Sequence, residues 1–391
     1  MWDLAIVGAG PAGAAAALGA LSARPDLRVL LLDRADFPRD KACGDGIAPH
    51  VLDVLAGVGV TGLLDDCVPV RELELVHGAE VVRRPMRRAA YVVPREVFDT
   101  RLVQAAVRAG ATLRRHRVRD VHAGQRSVVL DADIEARIVI GADGAYSLLR
   151  RTAGLAASRR QALAIRGYAP TSAERRGRQV IAFGRSRQPS YAWSFDRGDG
   201  MANVGYGELL TTRRTSATRE LMLEQLEDLL PGSAAGGTAW RGHHLPLSSW
   251  RWQQPDGPIL LAGDAAGLIN PLTGEGLYYA VTTGVLAGRA AADVCATRGS
   301  LADAGARHRA AVRSLLAAHL RHTAALSRLA AVPPATGAGV RAAAADQGVF
   351  DDLVEIGLGR GRVTSRLARG CLGRALPWTT DPALRHPHRS L

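Results

Sequence analysis

A glycine-rich turn close to the start of the chain limits its fold more than any other feature. Leu4-Ala5-Ile6-Val7 is an apolar run of the length of a buried parallel strand, Gly8-Ala9-Gly10-Pro11-Ala12-Gly13 follows at once, and an Ala-rich stretch of strong helix propensity runs to about Ala23. Arg28 to Leu32 reads as a second buried strand, ending at Asp33, twenty residues after the last glycine. This is a βαβ unit with G-x-G-x-x-G at its first turn, the pattern of a dinucleotide site. Gly8 permits the tight turn, Gly10 lets the backbone approach a pyrophosphate, and Gly13 allows close helix packing. The helix N-terminus adds partial positive charge. Ala9, Pro11 and Ala12 complete the loop. Asp33, with Arg34 beside it, is placed to bind the ribose, and an acid there disfavours a 2′-phosphate. On this motif alone NAD and FAD stay equally open.

The same unit contains a trap. Leu4 to Ala23 is twenty residues without a charge, long enough to suggest a membrane span. Met1-Trp2-Asp3 carries an acid where a signal peptide has Lys or Arg, and the run holds Pro11 and four glycines, so a chain that is not transmembrane is expected. Four scattered cysteines without a C-x-x-C pair indicate no disulfide framework and point to a reducing, cytoplasmic setting. Basic residues exceed acidic ones by 13, yet only Lys41 is lysine, and the arginines are scattered. The skew fits a GC-rich codon bias better than a nucleic-acid footprint, so no nucleic-acid partner is expected. A peripheral contact with a membrane or a carrier through the basic surface remains compatible with the charge, since from residue 300 onward thirteen arginines face six acids.

Strand and helix patterns alternate along the rest of the chain. Val51 to Leu64 has a helical pattern; Glu72 to Val76, Glu80 to Val82 and Tyr91 to Val93 read as short strands. A helix from Pro94 stops at Gly110, with Phe98, Leu102, Ala105 and Ala106 on one face. Val128 to Leu130 and Arg137 to Ile140 are strands. Ala162 to Tyr168, Gln179 to Phe183, Tyr191 to Phe195 and Met201 to Tyr206 read as antiparallel strands. Thr215 to Leu230 is a helix, Pro258 to Ala262 a buried strand, and the chain from Gly276 is mainly helical, with a break at Pro333-Pro334 and a loose tail around Pro382 and His388. The fold class is α/β with α+β insertions. A Rossmann-type domain (1–70, 95–160 and 255–295) is interleaved with an antiparallel-sheet substrate domain (71–94 and 161–254), and a helical C-terminal region (296–391) follows.

Two further motifs bring in a resemblance. Gly141-Ala142-Asp143-Gly144-x-x-Ser147-x-x-Arg150 and Gly263-Asp264-Ala265-Ala266-x-x-x-x-Pro271-x-x-Gly274-x-Gly276 resemble the second and third fingerprints of flavoproteins of the p-hydroxybenzoate hydroxylase type. The resemblance implies FAD, with Asp264 on the ribityl chain. It also implies that Pro271, Gly274, Gly276 and Leu277 open a helix onto the negatively charged edge of the reduced flavin. Finer features resemble the geranylgeranyl reductase family. They are Phe37-Pro38-Arg39-Asp40-Lys41-Ala42-Cys43-Gly44-Asp45-Gly46, Arg95-x-x-Phe98-Asp99-x-x-Leu102, Tyr191-Ala192-Trp193-Ser194-Phe195 with Asn203-Val204-Gly205-x-Gly207, and 271–280. Lys41, Ala42, Cys43, Arg95 and Asp143 are thereby expected beside the cofactor. Asp196 departs from that family's usual proline and would bring a charge near the cavity, and His243-His244 stands where a more Gly-rich turn is expected.

For chemistry, Cys43 is the one cysteine inside such a motif and could donate a proton or position substrate, or pack as a small hydrophobe. Tyr191 and Trp193 share a strand face and could wall an apolar cavity. His319-x-x-His322 lacks a third ligand and reads as a solvated helix face, so no metal is expected. His243-His244 could line the substrate site but reads more simply as a polar turn. The implied function is an FAD-dependent oxidoreductase, first a reductase that saturates C=C bonds of an isoprenoid or other lipophilic substrate. NAD(P)H or a ferredoxin-like protein would be the transient electron donor. The alternatives are a monooxygenase of an aromatic or polyketide-like product, a flavin halogenase, for which Lys41 is the one available tunnel lysine, and a protein with structural flavin.

Overall fold

The computed structural model describes residues 1–156, 158, 160–184, 189–210, 218–297 and 300–374. The expected loose tail, and the start of the helix expected from Thr215, lie outside them.

Two sheets organise the chain. In the first, the parallel strands run in the order Thr112–Arg115, Val29–Asp33, Trp2–Val7, Ile134–Gly141. Ile134–Gly141 then pairs with the parallel Ile259–Leu261 along its C-terminal half and with the antiparallel Val128–Leu130 along its N-terminal half. Helix Pro11–Ala23 is buried from Pro11 to Leu21. That answers the charge-free run: this helix is hydrophobic all round because protein covers it on every side. It lies against helix Leu277–Thr297 at backbone distance, since a Cβ on Gly284 would come 2.2 Å from the Ala12 carbonyl oxygen and one on Gly288 2.0 Å from that of Ala16. The first and third fingerprints are thus locked together by packing.

The second sheet has the order Thr238–Pro246, Gln161–Pro170, Met201–Leu209, Ser190–Asp196, Arg178–Phe183, Pro69–His77, Glu80–Val92, Gly46–Ile47. It is mixed rather than wholly antiparallel, because Arg178–Phe183 runs parallel to Pro69–His77. The two short strands expected at Glu80 and Tyr91 are one strand of 13 residues. The arginine knot between them faces outward and is paired: Arg83 with Glu72, Arg87 with Asp351 at 2.7 Å, and Arg88 with Asp53 at 2.7 Å. The helix expected from Val51 to Leu64 spans only Pro49–Ala56. Strand Gly46–Ile47 joins the second sheet although it follows directly on the glycine-rich unit.

The C-terminal helices Asp303–Leu329, Pro333–Ala345, Gln347–Leu358 and Ser365–Leu372 are not an appendage. Val340, Ala343 and Phe350 pack on Leu73, Leu75, Val82 and Met86, so they close one face of the second sheet. Arg84 fastens that contact by donating to the Ala343 carbonyl at 2.9 Å and to Gln347 Oε1 at 3.1 Å. Among the described residues no helix is long and apolar enough to cross a membrane.

Candidate active site

A single cavity of about 1370 Å³ runs from the glycine-rich turn between the two sheets to the C-terminal helices. Gly8, Gly10, Pro11, Ala12, Asp33, Arg34, Lys41, Ala42, Cys43, Arg95, Asp143, Asp264, Gly274, Gly276 and Leu277 all stand on its wall, as do Tyr191 and Trp193. Ala9, Gly13 and Pro271 do not. Gly13 is a packing glycine: a Cβ there would sit 1.8 Å from the Gly8 carbonyl oxygen. Ala9 gives its N–H to Asp33 Oδ2 at 2.8 Å, and Pro271 offers its carbonyl to Ser327 Oγ at 2.7 Å.

The charged groups near the turn are partnered. Asp33 also accepts from the Ala35 N–H at 2.9 Å, so each carboxylate oxygen holds one backbone donor and keeps acceptor capacity on the cavity side. Arg95 clamps Asp99 with bonds of 2.7 and 2.8 Å, and Arg39 reaches the same carboxylate at 3.2 Å; this explains the Arg-x-x-Phe-Asp spacing, one helical turn apart. Lys41 Nζ lies 3.0 Å from Asp264 Oδ2. Burial works against the Asp264 carboxylate, but the Lys41 ammonium, helped by His243 and Arg95, holds this group below the usual carboxylate range. Ser147 and Arg150 are structural: Ser147 Oγ caps the Arg150 N–H at 2.9 Å, and Arg150 donates to the Ala145 carbonyl at 2.9 Å.

The inner part of the wall contains groups that the sequence did not single out. Burial raises Asp45 to about pH 6, partly offset by hydrogen bonds from Tyr168 at 2.6 Å and from Asn203 at 2.9 Å. Burial raises Glu275 to about 7, partly offset by the Tyr278 N–H at 2.8 Å. Burial and the nearby Lys41 charge lower His243 to about 4. Cys43 is also raised by burial, with Arg95 pulling the other way. Asp45 and Glu275 lie inside the segments 37–46 and 271–280, where their acid character is the one signal the sequence offers.

Three expectations are corrected. His243 and His244 lie on the strand Thr238–Pro246, not in a turn; His243 lines the cavity and His244 Nδ1 meets the Tyr146 hydroxyl at 2.8 Å. His319 is fully buried rather than solvated, between the Tyr279 hydroxyl at 2.5 Å and the Gly361 carbonyl at 2.7 Å. His322 Nδ1 accepts from the Val363 N–H at 2.8 Å. Asp196 brings no charge to the cavity: it is buried at the strand end, where it accepts from Thr171 Oγ1 at 2.9 Å and the Gly177 N–H at 2.6 Å.

The wall fits a flavin dinucleotide on its own geometry. A Cβ on Gly8 would come 2.3 Å from the Ala142 carbonyl oxygen, whereas one on Gly10 would meet only the Arg39 guanidinium, at 3.2 Å. Gly10 therefore keeps an open approach to the helix N-terminus. Asp143 Oδ1 and His243 Nε2 are buried polar atoms without a protein partner, on residues of the cavity wall. Helix Leu277–Thr297 begins at the wall beside Gly274 and Gly276.

Comparison with known proteins agrees. The profile of the FAD binding domain family matches residues 1–329. Menaquinone reductase of Mycolicibacterium smegmatis is 35% identical over 312 residues, which cover 73% of this chain and 75% of that one. Digeranylgeranylglycerophospholipid reductase 2 of Methanopyrus kandleri is 33% identical over 324 residues, covering 75% and 77%. The chain belongs to the geranylgeranyl reductase family of FAD-binding oxidoreductases. Its fold is shared by a geranylgeranyl bacteriochlorophyll reductase-like protein of Thermoplasma acidophilum, with a TM-score of 0.76 at 19% identity over 95% of this chain and 96% of that one. The halogenase PltM in complex with FAD has the same fold, with a TM-score of 0.64 at 15% identity over 92% and 88%.

Proposed function

We propose that this reductase saturates carbon–carbon double bonds of an isoprenoid or similarly lipophilic substrate, with NAD(P)H or a ferredoxin-like protein as transient electron donor. The observation that carries the reading is the continuity of the cavity. Beyond Cys43 and Glu275 it passes Leu75, Ile181 and Phe183 of the second sheet and ends among Leu326, Val340 and Leu353 of the C-terminal helices. A polar, partnered part thus adjoins a long apolar part, and the two sheets support dividing the chain into an FAD-binding and a substrate part. Four free cysteines fit a reducing cytoplasm.

Reduced FAD, when bound, supplies hydride, which with one proton converts C=C into CH–CH. Asp33, Asp143, Asp264 and the two helix N-termini would hold it. Lys41 is engaged with Asp264, which disfavours its use as a halogenase tunnel lysine. Tyr191 donates its hydroxyl to the Thr273 carbonyl, and Trp193 its indole N–H to Asn203 Oδ1 at 2.8 Å. Both therefore wall and position the flavin loop and the Cys43 segment, which Asn203 grips through the Cys43 carbonyl at 2.8 Å. The Cys43 thiol, kept protonated by burial, is the proton source on this wall, and Asp45, two residues on, is the acid beside it that resupplies the proton. Anaerobic incubation with chemically reduced enzyme and a polyprenyl lipid, followed by mass spectrometry, should show a gain of two hydrogens per reduced bond. Product that forms only in air and carries an added oxygen would assign a monooxygenase instead.

A further inference from the structure

We propose that the protein docks on an anionic phospholipid bilayer through the mouth of its cavity, with the end of helix Asp303–Leu329 and the outer face of helix Ser365–Leu372 as the contact. That the docked enzyme draws its substrate from the bilayer rests on the lipophilic substrate proposed above; the docking itself does not.

The apolar end of the cavity opens to solvent at a defined place. Leu329 and Leu372 line it and yet are 55% and 76% exposed, and Val332, just past Leu329, is 47% exposed. These residues converge. Helix Ser365–Leu372 runs antiparallel to Pro333–Ala345, since Arg366 crowds Gly348 while Gly370 faces Ala342 and Val349 and the Arg374 carbonyl accepts from Arg341 at 2.8 Å. Its last turn therefore heads toward the start of Pro333–Ala345, which follows directly on Leu329 and Val332. Ser365–Leu372 is strongly two-faced, with Leu367 buried against Val349 and Ile356 and Leu372 outward. Apolar side chains grouped at an opening are not the scattered exposure of an ordinary surface.

Charge selects the partner. Arg321 and Arg328 are exposed two turns apart on helix Asp303–Leu329, Val332 is exposed in the turn just past that helix, and Arg362 and Arg369 are exposed before and within helix Ser365–Leu372, with Arg369 one turn from Leu372. The nearby acids are committed elsewhere. Asp346 caps the Gly348 N–H at 2.6 Å, Asp351 pairs with Arg87 at 2.7 Å, Asp352 with Arg366 at 3.2 Å, and Glu355 with His50 at 2.9 Å. The rim is thus apolar at its centre and cationic around it, the arrangement of a surface that inserts leucines between headgroups while arginines meet lipid phosphate. Another protein would need complementary acids and shape; a bilayer rich in anionic lipid needs neither.

The test uses flavin-loaded, full-length enzyme and co-sedimentation with vesicles of phosphatidylglycerol mixed with phosphatidylcholine, against vesicles of phosphatidylcholine alone. Binding is expected to the anionic vesicles only and to weaken as salt rises, because the screening length shrinks. Arg328→Glu and Arg369→Glu should each lower the partition coefficient by about fivefold or more. Val332→Asp should abolish binding while flavin absorbance and melting temperature stay at wild-type values. Absence of wild-type binding, equal binding to both vesicle types, or variants that bind like wild type would overturn the proposal. A dimer in vesicle-free solution that Val332→Asp dissociates would overturn it in favour of a second copy. Turnover of a short, water-soluble prenyl alcohol, measured alongside, separates the two readings: loss of vesicle binding with turnover intact rejects docking alone, and vesicle binding without alkene reduction rejects the substrate reading alone.

Discussion

Around the glycine-rich turn each acid has donors or a cation to hold it: Asp33 has two backbone N–H groups, Asp99 two arginines, and Asp264 a lysine. A few residues away, Asp45, Glu275, His243 and Cys43 are buried among partners too few to offset the loss of water, and each is pushed toward its neutral form. The first arrangement suits holding a charged, hydrogen-bonding cofactor; the second suits keeping protons beside a reacting carbon. One cavity carries both because it runs on from the glycine-rich turn into the buried space between the two sheets, and this contrast can be broken residue by residue.

The largest effect is expected where the glycine-rich turn packs against its own helix. Gly13→Val would drive a side chain into the Gly8 carbonyl, and the protein should be recovered colourless or insoluble, as read by flavin absorbance of the purified chain. Next comes Cys43→Ser, which should retain FAD yet slow anaerobic single turnover by about 10²–10⁴-fold, the usual contribution of a general acid. Wild-type turnover would reduce Cys43 to a packed neighbour, and flavin loss would move it to the cofactor cradle.

The Asp45→Asn exchange addresses the inner wall through stability. Asp45 in the folded chain holds its proton up to about pH 6 against an ordinary value of 3.8, so the native state carries the extra proton between the two. Stability from this group is therefore complete below about pH 4 and is lost as pH rises through 6, by about 2–3 kcal/mol. Denaturant melts should show that slope in wild type and a flatter profile in Asp45→Asn. Asp264→Ala should weaken flavin retention by about 1.5–3 kcal/mol, read by equilibrium titration of FAD. At the small end, Arg115→Ala breaks a pair with Asp36 in which both side chains are about two-thirds exposed, and should change stability by less than about 1 kcal/mol.

The glycine-rich unit was legible in the sequence because its constraints are local: turn, helix and strand follow within 33 residues, and Val128–Leu130 likewise forms where its apolar run stands. Edge strands were not. Thr112–Arg115 is exposed at every position and Thr238–Pro246 at most of its first half, so neither shows the alternation that burial imposes. The strand Glu80–Val92 hid behind its arginines, whose partners Glu72, Asp351 and Asp53 come from distant segments. For the site, Cys43, Asp264 and the fingerprint glycines were visible as motif positions. Asp45, Glu275 and His243 acquire their chemistry only from burial between the sheets, which no local spacing encodes. His319 looked solvated because its partner, Tyr279, stands on another helix.

The most direct test of flavin-dependent alkene reduction follows the flavin itself. Enzyme reduced in the absence of oxygen is mixed with a polyprenyl lipid or with the same lipid fully saturated, and flavin absorbance is recorded. Reoxidation by the unsaturated lipid alone, slowed in Cys43→Ser, is the expected result. Flavin that stays reduced with both lipids and reoxidises only when air is admitted would contradict it.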